Sequence, residues 1–187
     1  MHTSLAVVNQ AAGGNRVLND GLGPSVLSRL DRDIISLSGV SSVLVFEGVN
    51  DIGTAPADSY SQETLSNRLI AAYKQIATRL RSQGIAVFAA TITPFGLPQT
   101  DLKEREDASA SSYCDPVRES SRQIVNNWIR TSGIFDAVVD FDEILRDPAD
   151  HSLLKREYDS GDGLHPNQSA FHAMAKSFPI HIFEKQF

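Results

Sequence analysis

The sequence predicts a parallel α/β fold. Apolar runs of strand length recur along it, segments of helical period lie between them, and Gly, Pro and Asn stand at the joints. Leu5–Val8 reads as a buried strand ending at Asn9, followed by a Gly-rich turn from Gln10 to Asn15. Pro24 can open a helix whose apolar face is Val26, Leu27, Leu30, Ile34 and Leu37. Ser42–Phe46 is the next buried strand, closed by Glu47-Gly48-Val49-Asn50-Asp51. From about Glu63 to Ser82, Leu65, Leu69, Ile70, Tyr73, Ile76 and Leu80 line one side of a helix that Gly84 stops. Ile85–Thr91 is a third strand. The polar stretch from Thr93 to Cys114 has the length of a functional lid or of a disordered loop. Asp115-Pro116 starts a helix with Val117, Ile124, Val125, Trp128 and Ile129 on its core face. Phe135–Phe141 is a fourth strand and Pro166–Phe178 a last helix. With no repeat, low-complexity tail or linker, residues 1–187 are expected to form one domain.

Composition narrows the function classes. A chain of 187 residues with 41% hydrophobic and 21% charged residues is long enough for a proper core. A net charge of −6 leaves no basic footprint for nucleic acid and no polybasic patch for a membrane surface. The one cysteine, Cys114, excludes an internal disulfide framework and a multi-cysteine metal site. No apolar run approaches the roughly 20 residues of a transmembrane helix, and Leu5–Val8 is too short for a signal-peptide core. Gly21-x-Gly23 lacks the third Gly of a dinucleotide fingerprint. Asp162, His165 and His172 contain no H-E-x-x-H pattern, so neither a cofactor nor a metal is expected.

In open parallel sheets, ligands bind at the carboxyl ends of the strands, so the loops that follow strands hold the candidate chemistry. In Asp162-Gly163-Leu164-His165-Pro166, a carboxylate and an imidazole three residues apart can fold onto each other. The carboxylate can then hold one ring nitrogen and leave the other as a base. Taken alone, Asp before Gly is a turn residue and a lone His a surface one. The loop Gln10–Asn15 offers backbone N–H groups, or else a tight turn needing positive φ. Gly48-x-Asn50-Asp51 offers a side-chain amide, or else a simple Asx turn. Together these loops describe an acyl-transfer site. Gly14 and Asn50 would be oxyanion donors, His165 the general base and Asp162 its orienting carboxylate.

The set N-x-x-x-x-G (Asn9 to Gly14), G-x-N-D (Gly48 to Asp51) and D-x-x-H-P (Asp162 to Pro166) resembles blocks two, three and five of the SGNH, or GDSL, esterases and lipases. The two runs around Gly14 and His165 are similar to those of microbial, especially fungal, extracellular carbohydrate-esterase-like members. The resemblance implies a flavodoxin-like three-layer α/β/α sandwich with strand order 2-1-3-4-5. It also implies metal-free ester hydrolysis through an acyl-enzyme, on acetyl or short acyl esters of carbohydrates or lipids. By position, Gly14 and Asn50 match the family's oxyanion residues, and Asp162 and His165 match its base pair.

Block one, the G-D-S stretch that carries the nucleophile, does not occur in this sequence. Relative to the family, the chain is expected to be truncated at its amino terminus, without the first strand and helix. Ser4 precedes its expected strand and falls at the wrong edge of the sheet. A five-residue strand would put it roughly 16 Å from the donors, against the ~3–3.5 Å that attack needs. Ser160 has no activating neighbour in the sequence. No serine of this chain is therefore assigned as nucleophile. The expectation is an ester hydrolase acting on a small-molecule or glycan ester, with secretion of the intact parent. The alternative is an inactive chain of the same fold that binds a ligand or partner. Tyr60, Phe95 and Tyr113 are expected to contact sugar or acyl groups, and Trp128 to belong to the core.

Overall fold

The computed structural model describes residues 5–98 and 113–186, with the last three as backbone only. Its sheet has three parallel strands, β1 (Ser42–Val45), β2 (Ala86–Ala90) and β3 (Ala137–Val139), hydrogen-bonded in the order β1-β2-β3. Helix α1 (Val26–Leu30) continues as a π-helical stretch over Asp31–Ile35 before β1. Helices α2 (Val49–Thr54) and α3 (Ser59–Arg81) lead from β1 to β2, and α4 (Pro116–Thr131) lies between β2 and β3. After β3 come α5 (Phe141–Leu145), α6 (Gln168–Ser177) and a 3-10 segment over Ile180–Gln186.

Alternation along β2 separates three layers. Val87 and Ala89 enter a core built from α1, α3 and α4, with Leu30, Leu69, Ile76, Leu80, Val125 and Ile129. Ala90 joins Val139, Phe141, Leu145, Ala170 and Met174 on the opposite face, beneath α5 and α6. Helix α3 begins earlier than the sequence pattern suggests because Asp58 caps it, accepting from the Ser61 N–H at 2.9 Å. Gly84, at φ 73°, ends the turn that follows. Asp115 caps α4, and Pro116 occupies its first turn. Trp128 lies against the core, stacked on Tyr73 with ring centroids 6.2 Å apart.

Leu5–Val8 corrects the sequence reading. The segment is not a strand, and Val7 and Val8 are 91% and 64% exposed. An extended run becomes a strand only when a neighbour takes its backbone hydrogen bonds, and β1 pairs with β2 alone among the described residues. Leu44, in β1, and Phe46, just past its end, remain 39% and 38% exposed. A second correction concerns Gly48–Asp51. Instead of a plain turn, Gly48 at φ 114° caps the short helix α2, and Asn50 sits in its first turn. Most of the Thr93–Cys114 loop, including Glu104–Asp107, lies outside the described residues. Residues 93–97, by contrast, are buried.

Candidate active site

The turn before α6 fixes the carboxylate and imidazole locally. Asp162 Oδ1 accepts the N–H groups of Leu164 and His165 at 2.9 and 2.8 Å, and the Ser160 hydroxyl at 3.1 Å. Its other oxygen, Oδ2, meets His165 Nδ1 at 2.6 Å. Partial burial raises the Asp162 pKa, but the His165 N–H, the His165 ring, the Leu164 N–H and the Ser160 hydroxyl outweigh it. The carboxyl is held well below the usual range. An anionic Asp162 can only accept, so the shared proton sits on Nδ1 and Nε2 is left as the potential base. The His165 side chain is 71% exposed, and its ring edge faces solvent. Asn167 anchors the turn by donating to the carbonyls of Glu157 and Asp159, both at 2.9 Å, while capping α6.

The loop of Gly14 and the helix of Asn50 are joined directly. Asn50 Nδ2 donates to the Asn15 carbonyl at 2.9 Å, and Tyr113 donates its hydroxyl to Asn50 Oδ1 at 3.0 Å. Gly14 takes φ 68°, a conformation that favours glycine. Among the described residues, neither the Gly14 N–H nor the second Nδ2 proton of Asn50 has a partner. The buried side chain of Asn15 donates to the Pro24 carbonyl at 2.8 Å and accepts from Arg29. Arg29 also donates to the Gln10 carbonyl at 2.6 Å. Asp51, buried beside Asn50, accepts the N–H groups of Val17 and Leu18 at 2.7 and 3.0 Å. The loop is therefore held from both ends.

A chain of contacts runs from this pair of loops toward the imidazole. Next to Tyr113, Cys114 Sγ accepts the Leu97 N–H at 3.2 Å. A Cβ on Gly163 would fall 2.7 Å from the Gly96 carbonyl and against the Leu97 side chain, so the His165 turn lies directly on residues 96–97. That shelf is braced from below by the fully buried Arg122, which donates to the carbonyls of Ile92 and His151 at 3.0 and 2.7 Å. Arg122 also pairs with Glu119 and Asp142. The sequence reading missed this arginine, because its partners other than Glu119 come from separate elements. Glu47, between Arg29 and Asp51 at the end of β1, has its pKa pushed up to about 7. Burial is the main cause, Asp51 adds to it, and Arg29 opposes it.

The remaining candidates fall into place differently. Phe95, expected to rim the site, is 1% exposed and packs edge-on to Tyr113, so no ligand can reach it. The Phe95 ring is accommodated in the interior, where the buried Arg122 guanidinium lies 5.9 Å from it. Tyr60 is 80% exposed, and Tyr113 is half-buried on Asn50. Ser4 lies outside the described residues, and the hydroxyl of Ser160 is turned to Asp162. His172 is exposed on α6. Among the described residues no group of acidic, His or Cys side chains could hold a metal ion, and no helix is long and apolar enough to cross a membrane.

Known proteins agree with this architecture. The chain is similar in fold to a protein of Bacteroides fragilis assigned as an acylhydrolase, with TM-score 0.57 and 19% identity over 86% of this chain and 69% of the other. It is similar also to a GDSL-like lipase of Bacteroides thetaiotaomicron, with TM-score 0.55 and 18% identity over 85% and 69%. An acetyl xylan esterase, AlAXEase, gives 0.52 and 16% over 89% and 74%. No curated protein matches the chain. At such identities the likeness speaks for the fold. The profile of the GDSL-like lipase/acylhydrolase family, however, matches residues 2–172, and the chain belongs to that family.

Proposed function

We propose that this chain carries the base and oxyanion half of a carboxylic-ester hydrolase site. The substrate would be an acetyl or short acyl ester of a carbohydrate or lipid. The observation that supports it most is the 2.6 Å contact between Asp162 and His165, which leaves Nε2 of an exposed imidazole open. In this reading, a serine hydroxyl loses its proton to His165 Nε2 as its oxygen bonds to the ester carbonyl carbon. The Gly14 N–H and the second Nδ2 proton of Asn50, neither of which has a partner among the described residues, receive the resulting oxyanion. The carbonyl then re-forms, the alcohol departs with the proton from His165, and water repeats the sequence to free the acid. His165 is the base, Asp162 holds its tautomer, and Gly14 and Asn50 are the donors. The serine is assigned to no position of these 187 residues, which contain no G-D-S.

The test pairs p-nitrophenyl acetate turnover with fluorophosphonate labelling, on this chain and on a form extended upstream from its genomic locus. Activity and labelling of the extended form alone are expected, with His165→Ala reducing turnover about 10²–10⁴-fold. Labelling of the short chain would place the nucleophile on one of its own serines, and the modified residue would identify it. Silence from both forms would favour the reading in which the fold binds a ligand or partner without hydrolysing it.

A further inference from the structure

An open cleft of about 340 Å³ lies beside Asn50, between the Arg16–Asp20 loop, the end of α2 and the first turns of α3. Arg16 and Arg68 line it, together with Tyr60, Ser61 and Thr64. Most arginines among the described residues hold a carboxylate, as Arg29, Arg79, Arg122 and Arg130 do. Arg68 makes no hydrogen bond or ion pair among the described residues, although the chain carries 23 acidic against 17 basic side chains. Arg16 has no carboxylate partner at ion-pair distance either. It donates to the Asp20 carbonyl and to Thr54 Oγ1, the latter at 3.4 Å. Those bonds pin the guanidinium across Gly21, where a Cβ would come within 2.9 Å of Arg16 Nη2. The one carboxylate in the lining, Asp51, spends its two oxygens on the N–H groups of Val17 and Leu18.

Two cations with no carboxylate at ion-pair distance among the described residues, Arg16 feeling Asp51 and Asp20 only at longer range, stand on separate elements across a concave surface and are arranged for an anion from outside the chain. The ring of Tyr60, 80% exposed beside them, offers the flat apolar face on which a sugar ring stacks. Ser61 and Thr64 add hydroxyls. The cleft is also within reach of the candidate oxyanion donors: Thr54 donates to the Asn50 carbonyl at 2.6 Å. Four residues of helix separate Asn50 from the cleft wall by roughly 6 Å.

We infer that this cleft binds an acidic sugar unit, its ring against Tyr60 and its carboxylate or phosphate between Arg16 and Arg68. The inference rests on the ester-hydrolase reading for its purpose: the acidic unit would be the alcohol part of the ester, or its neighbour in a glycan. Binding itself requires no catalysis, so the two readings fail separately.

The test is titration of the isotopically labelled chain, followed by amide resonances, with D-glucuronate, glucose 6-phosphate, D-glucose and inorganic phosphate. Saturable shifts at Tyr60, Ser61 and Thr64 are expected with glucuronate, glucose 6-phosphate or both, weakening as salt is raised. Arg68→Ala should raise the Kd about tenfold, the loss of one charge-assisted contact, at an exposed helical position that leaves folding intact. Arg16→Lys should weaken binding as well. Response to glucuronate alone would identify a sugar carboxylate, and response to glucose 6-phosphate alone a sugar phosphate. Glucose binding as tightly as glucuronate, inorganic phosphate matching glucose 6-phosphate, no shifts at these residues, or indifference to Arg68→Ala would each overturn the assignment.

Discussion

Asn50 binds the backbone of Asn15 through one end of its amide and the hydroxyl of Tyr113 through the other, at 2.9 and 3.0 Å. One side chain thus ties together the first loop, the start of α2 and the segment that leads into α4. In the reading proposed above, the same amide faces the oxyanion, so its geometry is set before any ligand arrives.

Asn50→Ala removes both bonds and is expected to destabilise the fold by about 1–2 kcal/mol, one modest net contribution for each. Tyr113→Phe should cost less, because only one bond is lost. In a double-mutant cycle by urea denaturation the two should couple by roughly 0.5–1 kcal/mol. Strict additivity would mean that the Tyr113 hydroxyl does not hold Asn50 in solution.

Arg122 and Asp142 are both 0% exposed and lie 2.5 Å from each other. Asp142 keeps Arg130 and Arg146 if Arg122 is removed, so its charge is not left alone. The Ile92 carbonyl keeps Asn126, so the loss falls instead on the His151 carbonyl, on the Glu119 carboxylate and on the volume vacated beside Phe95. Arg122→Ala is expected to lower unfolding free energy by about 3–4 kcal/mol. Arg122→Lys should recover only part of it, since an ammonium cannot match the forked geometry. Equal stability of the Lys variant and the parent would contradict the bracing role of the fork.

What the sequence disclosed followed the range over which each feature is determined. The stripe Leu65–Leu80 and the strands around Ala86–Ala90 and Ala137–Val139 announce themselves by period and by flanking Gly and Pro. The Asp162–His165 contact was legible because it closes within three residues. Helix α2 was not, since six residues containing Gly53 are too few to show a helical period. Leu5–Val8 has the composition of a strand, but pairing is a property of neighbours, and among the described residues none takes its backbone hydrogen bonds. Arg122 reads as a surface residue until Glu119, Asp142 and two carbonyls converge on it, 3 to 30 positions away.

Gly163 and Gly161 offer an internal comparison at the imidazole turn. Both have positive φ, 75° and 106°, but only Gly163 has a backbone atom where a Cβ would go. Gly161→Ala should cost about 1 kcal/mol of conformational strain. Gly163→Ala should cost about 2–3 kcal/mol, as the turn must also lift off the Gly96 carbonyl. Gly163 lies between Asp162 and His165, so distorting the turn at this position should loosen their contact, and the Nδ1 proton resonance should weaken in Gly163→Ala and persist in Gly161→Ala. Retention of that resonance at full strength in both would show that the shelf at 96–97 does not position the imidazole.

Glu47 makes stability depend on pH in a direction opposite to that of an ordinary ion-paired carboxylate. Burial, against the opposing charge of Arg29 at 3.7 Å, raises its pKa from 4.5 to about 7. The folded chain therefore binds this proton more tightly than the unfolded chain does. The contribution is fully present below about pH 4.5, falls as pH rises through the window to about 7, and is gone above it. Its size is on the order of 3 kcal/mol. Glu47→Gln keeps the shape and removes the titration. The unfolding free energy of this variant relative to the parent should therefore rise by that amount between pH 4.5 and 8, measured by denaturant titration at each pH. A difference that stays level across the window would mean that Glu47 ionises freely, its charge met by Arg29 rather than penalised by burial.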